Sequence, residues 1–305
     1  MSLKKEYIAS LKGTDVEEII DLVIYRPLSF LFVKSIYRTN ITPNQLSVFA
    51  MILSIVAGIV YGCGTQYFFI IGGILMFISN TIDCADGQLA RLKKNGTKIG
   101  RIIDGAIDYI SVASVLIGTG FAMSHDPRFG NFIWIMAVGA GFSRAFQNMF
   151  FDYYRNLYLR FVYHSELEYD NKYGISPLAY EIELYKRDLR MLNRTPGRNM
   201  EKFLISLYIK YSTLQKKITK HIFLDVTPEE YKKRNQFILR IRSWLGSTTH
   251  LTAYIIFSFT YRIEYYFIIT IVLGNLMMFI LLIFQKAIIN DIRLKTKIKR
   301  TIIKY

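Results

Sequence analysis

Between Asp83 and Asp108 the chain reads D-C-A-D-G-Q-L-A-R-L-K-K-N-G-T-K-I-G-R-I-I-D-G-A-I-D, which sets four carboxylates at helical spacing. Asp83 and Asp86 are three residues apart, and Asp104 and Asp108 are four apart. On helices each pair shares a face and could share a ligand. Four acidic groups brought together cannot all stay ionised unless cations neutralise them. Oxygen-only ligation suits hard divalent ions such as Mg²⁺, Mn²⁺ or Ca²⁺. His125, His164 and both cysteines (Cys63, Cys84) fall outside the pattern, which argues against a zinc site of His and Cys. Two hard cations could neutralise phosphate oxygens and activate a nucleophile for in-line displacement. Arg91 follows Asp83 by eight residues, about two turns, and could clamp a phosphate or diphosphate. Gly87 and Gly100 leave the helix backbone open to a ligand. Apolar stretches flank the motif on both sides, and carboxylates at a membrane edge are costly unless functional. A buried Asp–Arg pair that merely fixes helix packing would explain one pair, but not four Asp in this register.

The pattern Asp83-x2-Asp86-Gly87-x2-Ala90-Arg91-x8-Gly100-x3-Asp104-x3-Asp108 resembles the signature of the CDP-alcohol phosphotransferases, with every fixed position present. The resemblance implies an all-α integral membrane fold with six transmembrane helices, usually a homodimer, two divalent metal ions (Mg²⁺ or Mn²⁺) and a CDP-alcohol donor. It implies that Asp83, Asp86 and Asp104 ligate the metals. Asp108 would be a ligand or neighbour of the metals and the general base for the acceptor hydroxyl. Gly87, Ala90, Arg91 and Gly100 would line the CDP pocket, and CMP would be the leaving group. The Thr42-Pro43-Asn44 opening of the first span is also similar to family members, so Asn44 is either a nucleotide contact or a plain helix start. The D-G-A-I-D stretch has Gly105 where phosphatidylglycerophosphate synthases have Pro. It therefore resembles those synthases less, and its compact spacing, with Arg144, Arg240 and Arg242 as candidate phosphate partners, makes transfer from CDP-diacylglycerol to inositol or inositol phosphate the expected reaction. Serine, glycerol phosphate, or a lipid alcohol receiving phosphocholine or phosphoethanolamine are the runners-up.

The elements that must position these residues follow from composition. The chain has 305 residues, 52% of them hydrophobic, and a mean hydropathy of +0.24, which is too apolar for an ordinary soluble domain. Apolar windows predict helices near 44–62, 66–92, 98–123, 131–154, 247–262 and 264–288, the fifth being short. Thr42 and Pro43 predict an N-cap and first helical position. Gly58 and Gly62 form a GxxxG suited to close packing within the bundle. The first forty residues lack an apolar run ahead of a cleavage site, so no signal peptide is expected.

Five segments follow. Residues 1–43 form an N-terminal segment in which 15–38 read as an amphipathic helix in the interface, with an ordinary surface helix as the alternative. Residues 44–154 hold four spans and the motif, and 155–245 form a basic cytoplasmic insertion. Residues 246–289 hold two spans, and 290–305 form a basic tail suited to anionic lipid. The insertion has eighteen Lys/Arg against ten Asp/Glu, with R-T-P-G-R at 194–198 as an internal turn. It could cover the site, bind anionic lipid or a partner, or be a solvated addition.

The net charge of +16 does not point to nucleic acid, because its distribution follows the positive-inside rule. Residues 62–66 carry no charge, 124–130 carry Asp126 and Arg128, and 261–264 carry Arg262 and Glu264. Both termini and the motif are expected on the cytoplasmic side. Arg144, inside the fourth span, could meet an acceptor phosphate, pair with a motif Asp or snorkel to the edge. Arg240 and Arg242 could serve the acceptor or act as positive-inside anchors. A cation-coupled transporter and an inactive lipid-binding scaffold remain competing classes. A transporter is disfavoured because no repeat relates the two halves and the Asp residues cluster in one place.

Overall fold

A computed structural model of the chain describes residues 2–95, 98–163, 177–194, 197–218 and 227–302. Within its helices, the side chains of residues 98–104, 160, 163, 177–181, 215–218 and 293–302 lie outside that description. Among the described residues the fold is all-helical, with no strand. Helix α1 is Leu3–Ser10, and α2 is Arg26–Ile36, entered through a π-helical turn at Asp21–Tyr25. The central trio follows: α3, Pro43–Gly62; α4, Gln66–Lys93; and α5, Lys98–Ser124. Helix α6 is Phe132–Tyr163, α7 Pro177–Asn193, α8 Asn199–Ile218 and α9 Pro228–Arg242. Helix α10 is Ser247–Phe259, and the last helix runs as α11, Ile263–Ile269, through a π segment at Thr270–Gly274 into α12, Asn275–Ile302.

Local chemistry sets these limits. Thr42 caps α3, accepting from the Gln45 amide while the Gln45 side chain accepts from the Thr42 amide, with Pro43 at the first helical position. Helix α4 stops at Lys94, which is left-handed at φ 52°. The Lys93 ammonium ties that end to the carbonyls of Thr39 and Ile41 at 3.0 and 3.1 Å. The π segment leaves the Thr270 carbonyl available, and Gln147 on α6 donates to it at 2.9 Å. On the far loops the few charges neutralise one another, Arg128 chelating Asp126 and Arg262 lying 3.6 Å from Glu264.

Four helical stretches are long and apolar enough to cross a membrane: Pro43–Gly62, Gln66–Lys93, Gly105–Ser124 and Ile263–Ile292. The protein is thus an all-helical integral membrane protein. The expected fourth and fifth spans are present as helices of a different kind. Helix α6 is 32 residues long, carries Arg144 and Gln147, and continues past the expected end at 154. Helix α10 has 13 residues, about 20 Å of rise, short of the roughly 30 Å apolar layer.

The trio α3, α4 and α5 packs through small residues. A Cβ at Gly58 would lie 2.5 Å from the Ser114 carbonyl oxygen on α5. The GxxxG is therefore an intramolecular seam, as its spacing suggested. Ser54 and Ser79 share a 2.7 Å hydrogen bond between α3 and α4, and Ser114 donates to the Ser54 carbonyl. Around them Ala57, Tyr61, Phe69, Met76, Val115 and Tyr254 form the largest apolar core. A second core of Val33, Leu46, Ala50, Ile82, Ala85 and Leu89 fastens α2 and α3 to the motif end of α4.

Two findings modify the expectations outside the spans. Residues 15–38 do contain helix, but Glu17, Glu18, Asp21 and Arg26 are buried inward while Val23, Leu28 and Leu31 face outward. The polar face meets protein and the apolar face is the exposed one, a polarity suited to a lipid interface. The insertion is not one body either. Helices α7 and α8 share a small core around Tyr185 and Ile205, whereas α9 packs into α6 and the last helix. Thr195 and Pro196 of the expected turn lie outside the described residues, and Gly197 and Arg198 beside them adopt left-handed φ of 82° and 55°.

Candidate active site

The faces of α4 sort its residues. Ile82, Ala85 and Leu89 point into the α2–α3 core, while Cys84 and Gln88 point to the N-terminal segment. Asp83, Asp86, Gly87, Ala90 and Arg91 share the remaining surface, as period 3.6 requires. Asp86 is buried, and Ser47 on α3 donates a hydrogen bond to its Oδ2. A Cβ at Gly87 would meet both terminal nitrogens of Arg91 at 3.4 Å, so the guanidinium lies along the bare backbone there. Arg91 Nε donates to the Ser10 carbonyl, while its Nη2 is buried with no hydrogen-bond partner. A buried, unpartnered guanidinium nitrogen beside two carboxylates is the feature that suits an anionic oxygen ligand.

Helix α5 carries the second Asp pair in sequence. Asp108 is exposed on α5. Gly100 and Asp104 belong to the same helix, but their side chains lie outside the described residues. Among the described residues no group of three or more His, Cys, Asp or Glu is close enough to hold a metal ion. The chemistry of Asp83 and Asp86, carboxylates one turn apart on α4, suits a hard cation, and Asp108 is carried separately on α5. Next to Asp108, Tyr109 lies beside Tyr211 of α8.

The remaining predicted residues fall in three places. Asn44 is exposed at the second position of α3. Arg144 is half-buried, donates to the Ser247 carbonyl at 3.4 Å and reaches Tyr266. Arg240 donates to the carbonyls of Thr14 and Glu17, and Arg242 is 1% exposed. Arg242 donates to Gln285 and stacks on Tyr154 and Phe150, with its guanidinium carbon 3.9 and 4.8 Å from the ring centres.

Sequence reasoning passed over the N-terminal segment that braces the motif. Arg26 donates to the Cys84 carbonyl at 3.1 Å and to Glu17 at 3.0 Å. Gln88 donates to Ser10 and to the Arg26 carbonyl, and Ser29 to the Thr81 carbonyl. Glu18 accepts from the amides of Thr248 and Thr249 and from the Thr249 hydroxyl, capping the start of α10. Gly246 is obligatory beneath it, since any Cβ there would run into the Glu18 carboxyl. Burial opposes charge on Glu17, but Arg26 and Lys12 outweigh it and hold that carboxyl below its usual value. Burial, reinforced by Asp21, pushes Glu18 up instead. The signal was present in D-V-E-E-I-I-D, where Asp15, Glu17, Glu18 and Asp21 crowd among apolar residues.

Residues 40–157 carry a CDP-alcohol phosphatidyltransferase domain, the family whose pattern they match. That stretch includes the whole Asp motif, Ser47, Gly58, Gly118 and Arg144. Similar proteins include the archaetidylinositol phosphate synthase of Pyrococcus horikoshii, 33% identical over 85 residues, which are 28% of this chain and 44% of that protein. The bifunctional IPC transferase and DIPP synthase of Aquifex aeolicus is 32% identical over 99 residues, 32% of this chain and 21% of its own length. The Thermococcus kodakarensis protein of the same description is 30% identical over 88 residues, 29% of this chain and 19% of its length. The chain thus spans less than half the length of the curated relatives it matches.

Proposed function

We propose that the protein transfers a phosphatidyl-type group from CDP-diacylglycerol to a hydroxyl of inositol or inositol phosphate, releasing CMP. The observation that carries this reading is the intact Asp motif, with Asp83, Asp86 and Arg91 on one face of α4 inside the matched domain. The acceptor follows from the relative named archaetidylinositol phosphate synthase. Arg91 Nη2, buried without a partner, would bind a diphosphate oxygen. Gly87 and Ala90 would let the donor lie against the helix, with Gly100 and Asn44 completing the CDP pocket. Asp108 would take the proton of the acceptor hydroxyl, whose oxygen then bonds to the β-phosphorus as the bond from that phosphorus to the CMP oxygen breaks. Asp83, Asp86, Asp104 and Asp108 would hold the two divalent ions expected of the family. Such ions, Mg²⁺ or Mn²⁺, supply charge neutralisation on the diphosphate. Ser47 would orient Asp86 for that role. Arg144 is the acceptor-side cation of this reading, because Arg240 and Arg242 are engaged with the N-terminal segment, Gln285 and two rings. Six spans with cytoplasmic termini and site belong to the same proposal, supported by the distribution of basic residues, and a homodimer belongs to it by resemblance to the family alone.

The test is CMP release by the purified protein with CDP-diacylglycerol, screened against inositol, inositol phosphate, serine and glycerol phosphate. Release with inositol or inositol phosphate, abolished by EDTA and restored by Mg²⁺ or Mn²⁺, is expected. Release with serine or glycerol phosphate alone would replace the acceptor. Silence with all four, but turnover of CDP-choline or CDP-ethanolamine with a lipid alcohol, would invert the donor.

A further inference from the structure

Helix α8 has three kinds of surface. Ile205, Tyr208, Ile209 and Ser212 face α7, where Ile205 and Tyr185 form the core of the hairpin. Tyr211 turns to α5 and lies beside Tyr109. The third surface is an apolar row exposed among the described residues: Met200 is 70% exposed, Phe203 62%, Leu207 48% and Leu214 55%. These residues recur at intervals of three, four and seven, so they form one stripe along the helix, and Tyr211 sits at its edge. Lys210 is exposed within the stripe, and Lys202, Lys216 and Lys217 lie on the same helix. The acidic residue of α8, Glu201, is paired with Arg198 at 2.9 Å.

We infer that α8 lies in the lipid headgroup layer beside the motif end of α5, with Met200, Phe203, Leu207 and Leu214 directed into the acyl region and Lys210 toward anionic headgroups. Two observations place the bilayer there. Tyr109, beside which Tyr211 lies, is on α5 within the apolar stretch Gly105–Ser124, and Tyr109, Ile110, Ile117 and Phe121 are exposed there. A helix packed against an apolar, outward-facing stretch of α5, with its own apolar stripe adjoining that contact, meets the membrane surface and not bulk water. The charge pattern fits the same occupant, because four lysines against one paired glutamate suit an anionic surface and lysine stems can snorkel out of an apolar row. The outward Val23, Leu28 and Leu31 next to α2's packing on Ala85 and Leu89 set a second apolar strip at the same end of the bundle. The insertion then acts as a membrane-seated brace. It reaches α5 one residue after Asp108, so where α8 sits in the lipid bears on the helix that carries the proposed base.

The experiment uses full-length protein in nanodiscs of phosphatidylcholine and phosphatidylglycerol, with Phe203→Trp and, separately, Leu214→Trp. Emission from Trp134 and Trp244 is subtracted with the unsubstituted protein. The expected result is added emission that is quenched by lipids brominated on their acyl chains and shielded from aqueous iodide. Quenching by iodide without quenching by bromine would overturn the proposal, because the stripe would face water. Quenching by neither would also overturn it, since a second copy or another protein would then cover the stripe. A bromine-to-iodide ratio that falls in discs lacking phosphatidylglycerol supports the lysine contacts, and an unchanged ratio would refute them. None of these readouts depends on turnover, so the fate of the proposed reaction leaves the result interpretable.

Discussion

Gly118→Ala should damage both the fold and the reaction, and Gly62→Ala should damage neither. A Cβ at Gly118 would overlap the Gly58 carbonyl group, with its carbon only 2.7 Å away, whereas ordinary contact begins at 3.4 Å. The obstructing atoms are backbone, so no rotamer change relieves them, and α3 and α5 must separate by about 1 Å. Overpacking of this kind costs about 1–3 kcal/mol. The same displacement moves Asp108 on α5 against Asp83 and Asp86 on α4, and about 1 Å of misplacement can lower turnover roughly 10²-fold. Gly62 belongs to the same GxxxG, yet a Cβ there would meet Gly118 at 3.9 Å, an ordinary contact. The assay is thermal unfolding of the detergent-solubilised variants alongside initial rates of CMP release. Loss confined to Gly118→Ala is the expected outcome. Equal damage from both substitutions, or none from either, would refute the backbone-contact argument.

Asp108→Asn should retain binding of a CDP nucleotide by calorimetry while losing CMP release, and retained turnover would remove Asp108 from the role of base. Arg26→Ala strips the cation from buried Glu17 and Asp21 and the donor from the Cys84 carbonyl. A loss of about 3–5 kcal/mol in unfolding free energy is expected, partly recovered by adding Glu17→Gln. Glu18 predicts a pH effect of defined sign. Its carboxyl is raised from 4.5 to about 8, so its contribution is complete below pH 4.5 and declines as pH rises to about 8. Glu18→Gln should flatten the dependence of the unfolding midpoint on pH across that window, and a slope equal to the parent's would refute the assignment.

Local signals were the legible ones. The Thr42 cap, the starts of α3 and α4, and the shared face of Asp83 and Asp86 follow from capping chemistry and helical period, and each is visible within a few residues of sequence. The GxxxG seam was legible as a capacity for close packing, although its partners Ser114 and Gly118 are more than fifty residues away. The role of residues 10–26 was not. An acidic cluster among apolar residues looks like the wet face of an interfacial helix, and nothing local says that its acceptors meet amides at Thr248 and Thr249. The contacts of Arg240 and Arg242 were not legible for the same reason. Basic residues ahead of a span suit either a substrate or an anchor, and their actual partners, Thr14, Glu17 and Gln285, are set by tertiary contacts. Likewise α6 looked like a plain span ending near 154, because the packing of α9 that extends it lies beyond its own sequence.

The Glu18 cap on α10 joins residues 230 positions apart, and this gives the chain a timetable during synthesis. At about 5–20 residues per second, on the order of 10–50 s separate the emergence of Glu18 from that of Thr248. Through that interval the early spans are already made, yet the carboxylates beside them lack their last partners. Helix α10 is also too short and too polar at its start to settle alone. Its arrival is therefore the step that closes the N-terminal brace over Cys84, Gln88 and Arg91, and the motif acquires its final backing only after Thr248 and Thr249 have emerged.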